Sequence, residues 1–156
     1  RRTAGGAGEL SPRICGRFFS ERTRLYDIVD PRTGEAETVF TPEAAAPGVM
    51  AEVPVWVLIS GTTFSSAECL AYTLQTLRGA VVVGERSAGG AHPTRSFVIR
   101  EAEVVITVPV RDMLNPLTGA NWEGTGVVPD LKVPAERALE IAVEHASARW
   151  KNEEPD

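Results

Sequence analysis

Ser65 and Glu68 stand three residues apart in Thr62-Thr63-Phe64-Ser65-Ser66-Ala67-Glu68, just after an apolar run and at the start of a helical one. A serine at that boundary has its hydroxyl beside the first unpaired N–H groups of the helix. The positive end of the helix dipole stabilises an anion there, which suits a nucleophile. The same pair also has a plain structural reading. Serine followed three residues later by glutamate is a capping box, each side chain satisfying the other's backbone N–H. Spacing alone leaves both open.

The elements that would hold Ser65 in place are legible on either side of it. Val53-Pro54-Val55-Trp56-Val57-Leu58-Ile59 reads as a buried parallel strand, and Ala67, Leu70, Ala71, Leu74 and Leu77 recur at helical spacing. Ala80-Val81-Val82-Val83-Gly84 is a second buried strand, so strand, helix and strand form a right-handed parallel crossover. The loop from Glu85 to Pro93, carrying Gly89, Gly90 and His92, leaves the C-terminal end of that strand, where α/β proteins place ligands.

Upstream, Arg1 to Gly8 reads as a glycine-rich turn, with Gly5-Gly6 either a loose terminus or a backbone donor site. It feeds a helix over 9–19 whose apolar positions are Leu10, Ile14, Cys15, Phe18 and Phe19. Residues 23–29 and 36–41 flank the turn-forming Asp30-Pro31-Arg32-Thr33-Gly34-Glu35 as a hairpin, and 42–51 is a loop. Downstream, 94–99 and 104–110 are two more strands, 111–126 is a long irregular loop, and 134–149 is a closing helix with His145 at its surface or edge.

Length and composition narrow the class. The 156 residues make one domain, 1–156, with a real core. A net charge of −5, with no basic cluster longer than Arg1-Arg2, argues against nucleic acid as a partner. No apolar run approaches the ~18 residues of a membrane span, so a soluble chain is expected. Cys15 and Cys69 fall in apolar helical patterns and read as buried free thiols; no metal site and no cofactor is implied.

Pro54-Val55-Trp56-Val57-Leu58, Thr63-Phe64-Ser65-Ser66-Ala67-Glu68, Val83-Gly84-Glu85 and Gly124-Thr125-Gly126-Val127-Val128-Pro129-Asp130 together resemble the tail-specific, or C-terminal processing, serine peptidase family. Ala88-Gly89-Gly90-Ala91-His92-Pro93 and Asn121-Trp122-Glu123-Gly124 resemble the branch holding the tricorn-type core protease and the modules of interphotoreceptor retinoid-binding protein. The resemblance implies an α/β, crotonase-like (ClpP-like) core of stacked strand and helix turns, of which this chain is the C-terminal portion, and a peptide or protein substrate. It makes Ser65 the nucleophile. Thr3-Ala4-Gly5-Gly6 would correspond to the family's Asn-x-Gly-Gly turn, offering an oxyanion-hole N–H from Gly5 or Gly6 beside that of Ser66; Thr3 and Ala4 depart from the family's residues.

Two mechanisms occur in such families. The tail-specific Ser-Lys dyad would place its lysine on Gly90, and the only lysines are Lys132 and Lys151. The tricorn-type relay of Ser, His, a second Ser and Glu would place its glutamate on Glu123, with the histidine and second serine upstream of this chain. Asp130 reads as a turn or cap residue. Three readings follow: a serine peptidase or a hydrolase on its scaffold, a noncatalytic module holding a hydrophobic ligand such as a retinoid or lipid, or a biosynthetic enzyme using the scaffold for non-proteolytic acyl chemistry. The isolated chain, lacking a base where the family places one, is expected not to hydrolyse peptides. It is expected to pair with its own N-terminal region or to associate as a homo-oligomer through uncovered apolar faces.

Overall fold

The computed structural model describes residues 3–6, 8–42 and 50–153; Arg1-Arg2 and most of the expected 42–51 loop lie outside them. Its centre is the crossover β3 (Trp56–Ile59), α2 (Ser66–Arg78) and β4 (Val81–Gly84), with β3 and β4 parallel from Trp56↔Val81 to Ile59↔Gly84. Gly84 closes the pairing with φ +136, where a Cβ would stand 2.0 Å from the Ile59 carbonyl oxygen. Only glycine fits so near another backbone.

β8 (Leu131–Lys132) pairs with β4 in parallel, giving the order β3-β4-β8. Asp130 guides it in: its Oδ2 accepts from Val82 N at 2.7 Å and Gln75 Nε2 at 3.1 Å, while its own N–H donates to Val82 O at 2.8 Å. Asp130 is therefore bound into the sheet through its side chain and its backbone.

Alternation along the strands makes two layers. Val57, Ile59 and Val82 pack with Cys69, Ala71 and Leu74 of α2 and with Leu25 and Tyr26 of β1 (Arg24–Val29). Trp56, Leu58, Val81 and Val83 pack with Ala138 and Ala142 of α3 (Ala138–Glu153). Each fully buried aliphatic side chain contributes about 1.5–3 kcal/mol, so Leu74 and Val83 on opposite faces hold the sheet between the helices. β2 (Ala36–Phe40) and β7 (Asp112–Leu114) flank β1 antiparallel, in the order β2-β1-β7.

Three expectations are corrected. The first helix, α1, spans only Leu10–Cys15 and ends at Gly16, so Phe18 and Phe19 pack from the turn beyond it. The stretch 111–126 carries β7, a strand too short and too poor in β-branched residues to read as one. The closing helix begins at Ala138, after a turn over 135–137, and runs on past 149. The strands expected at 94–99 and 104–110 are present as β5 (Thr94–Ile99) and β6 (Val104–Pro109), paired with each other as a separate, exposed hairpin.

Candidate active site

Ser65 sits at the N-cap of α2 with φ +54 and ψ −123, one of two non-glycine residues with positive φ among those described. That conformation costs a non-glycine residue about 1–3 kcal/mol and persists only where its surroundings impose it. A strand-to-helix turn strained in this way lifts a side chain out of the sheet toward open space. Ser65 faces a cleft of about 630 Å³ lined also by Gly6, Ser66, Gly90, His92 and Glu123.

The constraint on Ser65 is a buried carboxylate. Glu68, 0 % exposed, takes the Ser65 N–H at 2.7 Å and the Gly90 N–H at 2.9 Å on Oε2. Its Oε1 takes the Ser87 hydroxyl at 2.5 Å and the Gly89 N–H at 2.7 Å. Ser87 Oγ in turn accepts the Val127 N–H at 2.6 Å. One carboxylate thus ties the elbow to the β4 loop and, through Ser87, to the Gly124–Asp130 segment. The sequence reading took Glu68 as half of a capping box, which it is; four charge-assisted bonds make it a hub as well.

Glu123 reaches the cleft from the far side. Asn121 Oδ1 accepts the Glu123 N–H at 2.8 Å, and the buried Trp122 anchors the loop by donating Nε1–H to Gly90 O at 3.1 Å. Glu123 Oε2 accepts the N–H groups of Ala91 at 2.6 Å and His92 at 3.0 Å. Partial burial pulls this carboxyl upward, but those two N–H groups and the His92 imidazole outweigh it and hold it below the usual carboxylate range. The His92 ring stands between two carboxylates, Nδ1 3.9 Å from Glu123 Oε2 and Nε2 3.5 Å from Asp112 Oδ1, with Asn121 Nδ2 3.4 Å from Nε2.

The glycine turn meets the elbow directly. Phe64 N donates to Thr3 O at 3.1 Å, and Ser66 Oγ to Gly6 O at 3.4 Å. Gly5 has φ +82, and a Cβ there would stand 2.7 Å from Phe64 O and 3.0 Å from Ser66 N. Any other residue would push the turn off the helix start. Gly5 lines a neighbouring cavity of about 350 Å³ rather than the cleft; Gly6 and Ser66 line both.

Gly90 matters for what it leaves room for. A Cβ on it would fall 2.2 Å from Phe64 Cε2, so the Phe64 ring occupies the place a side chain would need. Cys69 and Tyr26 also line the cleft. Burial pushes the Cys69 thiol up to about 11, and burial with Cys69 beside it pushes Cys15 up to about 12, so neither is a thiolate nucleophile near neutral pH.

Ser65, Ser66, Gly6, Gly90, His92 and Glu123 therefore share one cleft, with Gly5 and Gly89 directly behind its wall. His145 lies elsewhere, accepting the Trp56 Nε1–H at 3.1 Å. Sequence reasoning missed Ser87 and Asp112, and took Asn121 only as part of the Asn121-Trp122-Glu123-Gly124 resemblance. Ser87 carries no local signal, and Asp112 comes to the site through the pairing of β7 with β1.

The fold recurs in solved structures. A Bacteroides fragilis protein assigned to the S41 proteases superposes with TM-score 0.75 at 17% identity, over 95% of this chain and 43% of its own. A Parabacteroides merdae protein assigned as a peptidase gives 0.74 at 20%, over 92% and 49%. The photosystem II D1 C-terminal processing protease gives 0.68 at 23%, over 87% and 33%. The chain thus spans between a third and a half of the length of these relatives. The sequence profile of peptidase family S41 matches residues 1–133, more than half of the chain, so with the mixed α/β architecture built around the Ser65 elbow this chain belongs to peptidase family S41.

Proposed function

We propose that this chain is the C-terminal portion of the catalytic core of a serine peptidase, with a crotonase-like arrangement of the β3-α2-β4 unit and Ser65 as nucleophile. The observation that carries the reading is the strained Ser65 elbow at the start of a helix, opening on the same cleft as Glu123. In the reaction, Ser65 Oγ bonds to the substrate carbonyl carbon while its proton passes to an imidazole. The oxyanion forms against the N–H groups of Ser66 and of the Gly5-Gly6 turn. The C–N bond then breaks, the imidazole gives its proton to the leaving amine, and water releases the acyl group by the same steps. Glu123, kept ionised by the Ala91 and His92 N–H groups, orients the relay and balances the imidazolium.

A histidine and a second serine from the protein's own N-terminal region complete this relay. Two features support a docked upstream strand: β3 is an edge of its sheet among the described residues, and the 350 Å³ cavity beside it is lined by Leu10, Ile14, Val57, Ile59 and Leu70. The occupied space at Gly90 weighs against the Ser-Lys alternative. A second reading, with His92 as the local base, rests on its place between Glu123 and Asp112 in the cleft.

A fluorophosphonate probe on the full-length protein, followed by peptide mapping, tests the assignment. Labelling at Ser65 that survives His92→Ala supports the upstream base; labelling lost in that variant favours His92. No labelling of any serine would point to a noncatalytic ligand-binding module on the same fold.

A further inference from the structure

We propose that the apolar face of the β5–β6 hairpin is a docking surface for an extended, apolar segment of a polypeptide substrate, whose continuation enters the Ser65 cleft; this rests on the peptidase reading. The register puts Arg95, Phe97 and Ile99 opposite Val108, Ile106 and Val104 on one face. The other face carries Thr94 opposite Pro109, Ser96 opposite Thr107 with their hydroxyls 3.0 Å apart, and Val98 opposite Val105. Five of the six side chains on the first face are apolar against three of six on the second, and every residue of both strands is exposed, Phe97 and Ile106 each at 46 % and Val98 and Val105 at 64 % and 62 %. A two-stranded ribbon is marginal alone in water, and an apolar face of this kind gains from cover.

Three observations select the occupant. The hairpin is rooted in the cleft: Pro93, Thr94 and Pro109 belong to its lining, and Val110 N donates to Pro93 O at 3.0 Å to close the root. A chain leaving the cleft on that side meets the ribbon next. The face is carried by six side chains, Arg95, Phe97, Ile99, Val104, Ile106 and Val108, far fewer than the ~20–30 residues a side of a stable interface, which suits a transient ligand. Among the described residues neither strand is paired along its outer edge. Free edge N–H and C=O groups recognise extended backbone. Arg100, Glu101 and Glu103 at the tip end the strip, leaving room for about six extended residues, roughly 20 Å.

The test uses the full-length protein and Phe97→Thr/Ile106→Thr, which keeps strand-favouring side chains and removes the apolar surface. Val98→Thr/Val105→Thr on the opposite face is the control, and Ile99→Thr is a milder second variant. For an unfolded protein substrate, the first pair should raise KM on the order of tenfold, with kcat unchanged and with turnover of a short fluorogenic peptide unchanged. The control should match wild type. In a Ser65→Ala background, the same pair should weaken binding of a fluorescein-labelled peptide rich in valine and threonine, read by anisotropy. That arm needs no hydrolysis, so it separates failure of the docking proposal from failure of the peptidase reading. Unchanged KM and unchanged binding in both Phe97→Thr/Ile106→Thr and Ile99→Thr overturn the proposal. So does conversion of a dimer to a monomer in sedimentation with both substrates slowed, which would make the face a contact between copies.

Discussion

Glu68 Oε2 lies 2.7 Å from the Ser65 amide nitrogen, and the other oxygen of the same buried carboxylate holds the loop after β4. The elbow and the opposite wall of the cleft are therefore set by one side chain. Glu68→Gln would turn an NH₂ group toward two of its four donors, leaving them without an acceptor at about 1–3 kcal/mol each. A loss of about 3 kcal/mol in urea unfolding is expected, together with loss of fluorophosphonate labelling at Ser65. Leu74→Ala, on the same helix in the core, should cost a similar ~2–5 kcal/mol yet keep labelling. Equal labelling of the two variants would reduce Glu68 to a structural cap.

Ser65 itself is held at φ +54, a conformation glycine adopts freely. Ser65→Gly should therefore abolish turnover and raise stability by about 1 kcal/mol, the relieved strain less the extra entropy of glycine in the unfolded chain. Ser65→Ala keeps the strain and should show no such gain. Thermal melts of the three proteins decide; a Ser65→Gly protein that melts below wild type would mean that the elbow is unstrained.

The crossover around Ser65 was legible because its strands, covered on both faces, are continuous short apolar runs and its helix follows the period of 3.6. Glu68 shows why the rest was not. A glutamate at the third helical position is ordinarily solvated, and its burial here depends on donors from Ser87, Gly89 and Gly90, which sequence spacing does not bring together. Glu123 became a candidate through family resemblance, whereas Asp112 reached His92 through a three-residue strand with no pattern of its own. The β5 and β6 strands were foreseen, but a β-branched run reads the same whether its face is covered or bare.

Glu123 sits below the ordinary carboxylate range, so it keeps its charge as the pH falls. A depressed carboxyl contributes above its unfolded value near ~4.3 and loses that contribution only as the pH drops through the lower folded value. Glu123→Gln should reduce kcat on the order of a hundred- to ten-thousandfold with little change in KM. The ratio of wild-type to variant kcat should be flat from about pH 5 to 8. A ratio that shrinks steadily across that window would show Glu123 titrating within it, contrary to the two N–H bonds it accepts.

Gly90 is where the Ser-Lys alternative can be tried directly. Gly90→Lys supplies an amine at the position the dyad would use, but its Cβ would meet Cε2 and Cζ of Phe64 at 2.2 and 2.3 Å. Phe64 is 43 % exposed, so its ring can be driven out of the way at a cost typical of overpacking, about 1–3 kcal/mol. The expected result is lower stability and slower labelling at Ser65, not a new dyad. In Phe64→Ala/Gly90→Lys the obstruction is gone, and the double-mutant cycle should show a favourable coupling of about 1 kcal/mol or more. Additive stability effects, or a Gly90→Lys protein that labels faster than wild type while melting at the same temperature, would mean that the Phe64 ring does not occupy this place and that a lysine there can serve as the base.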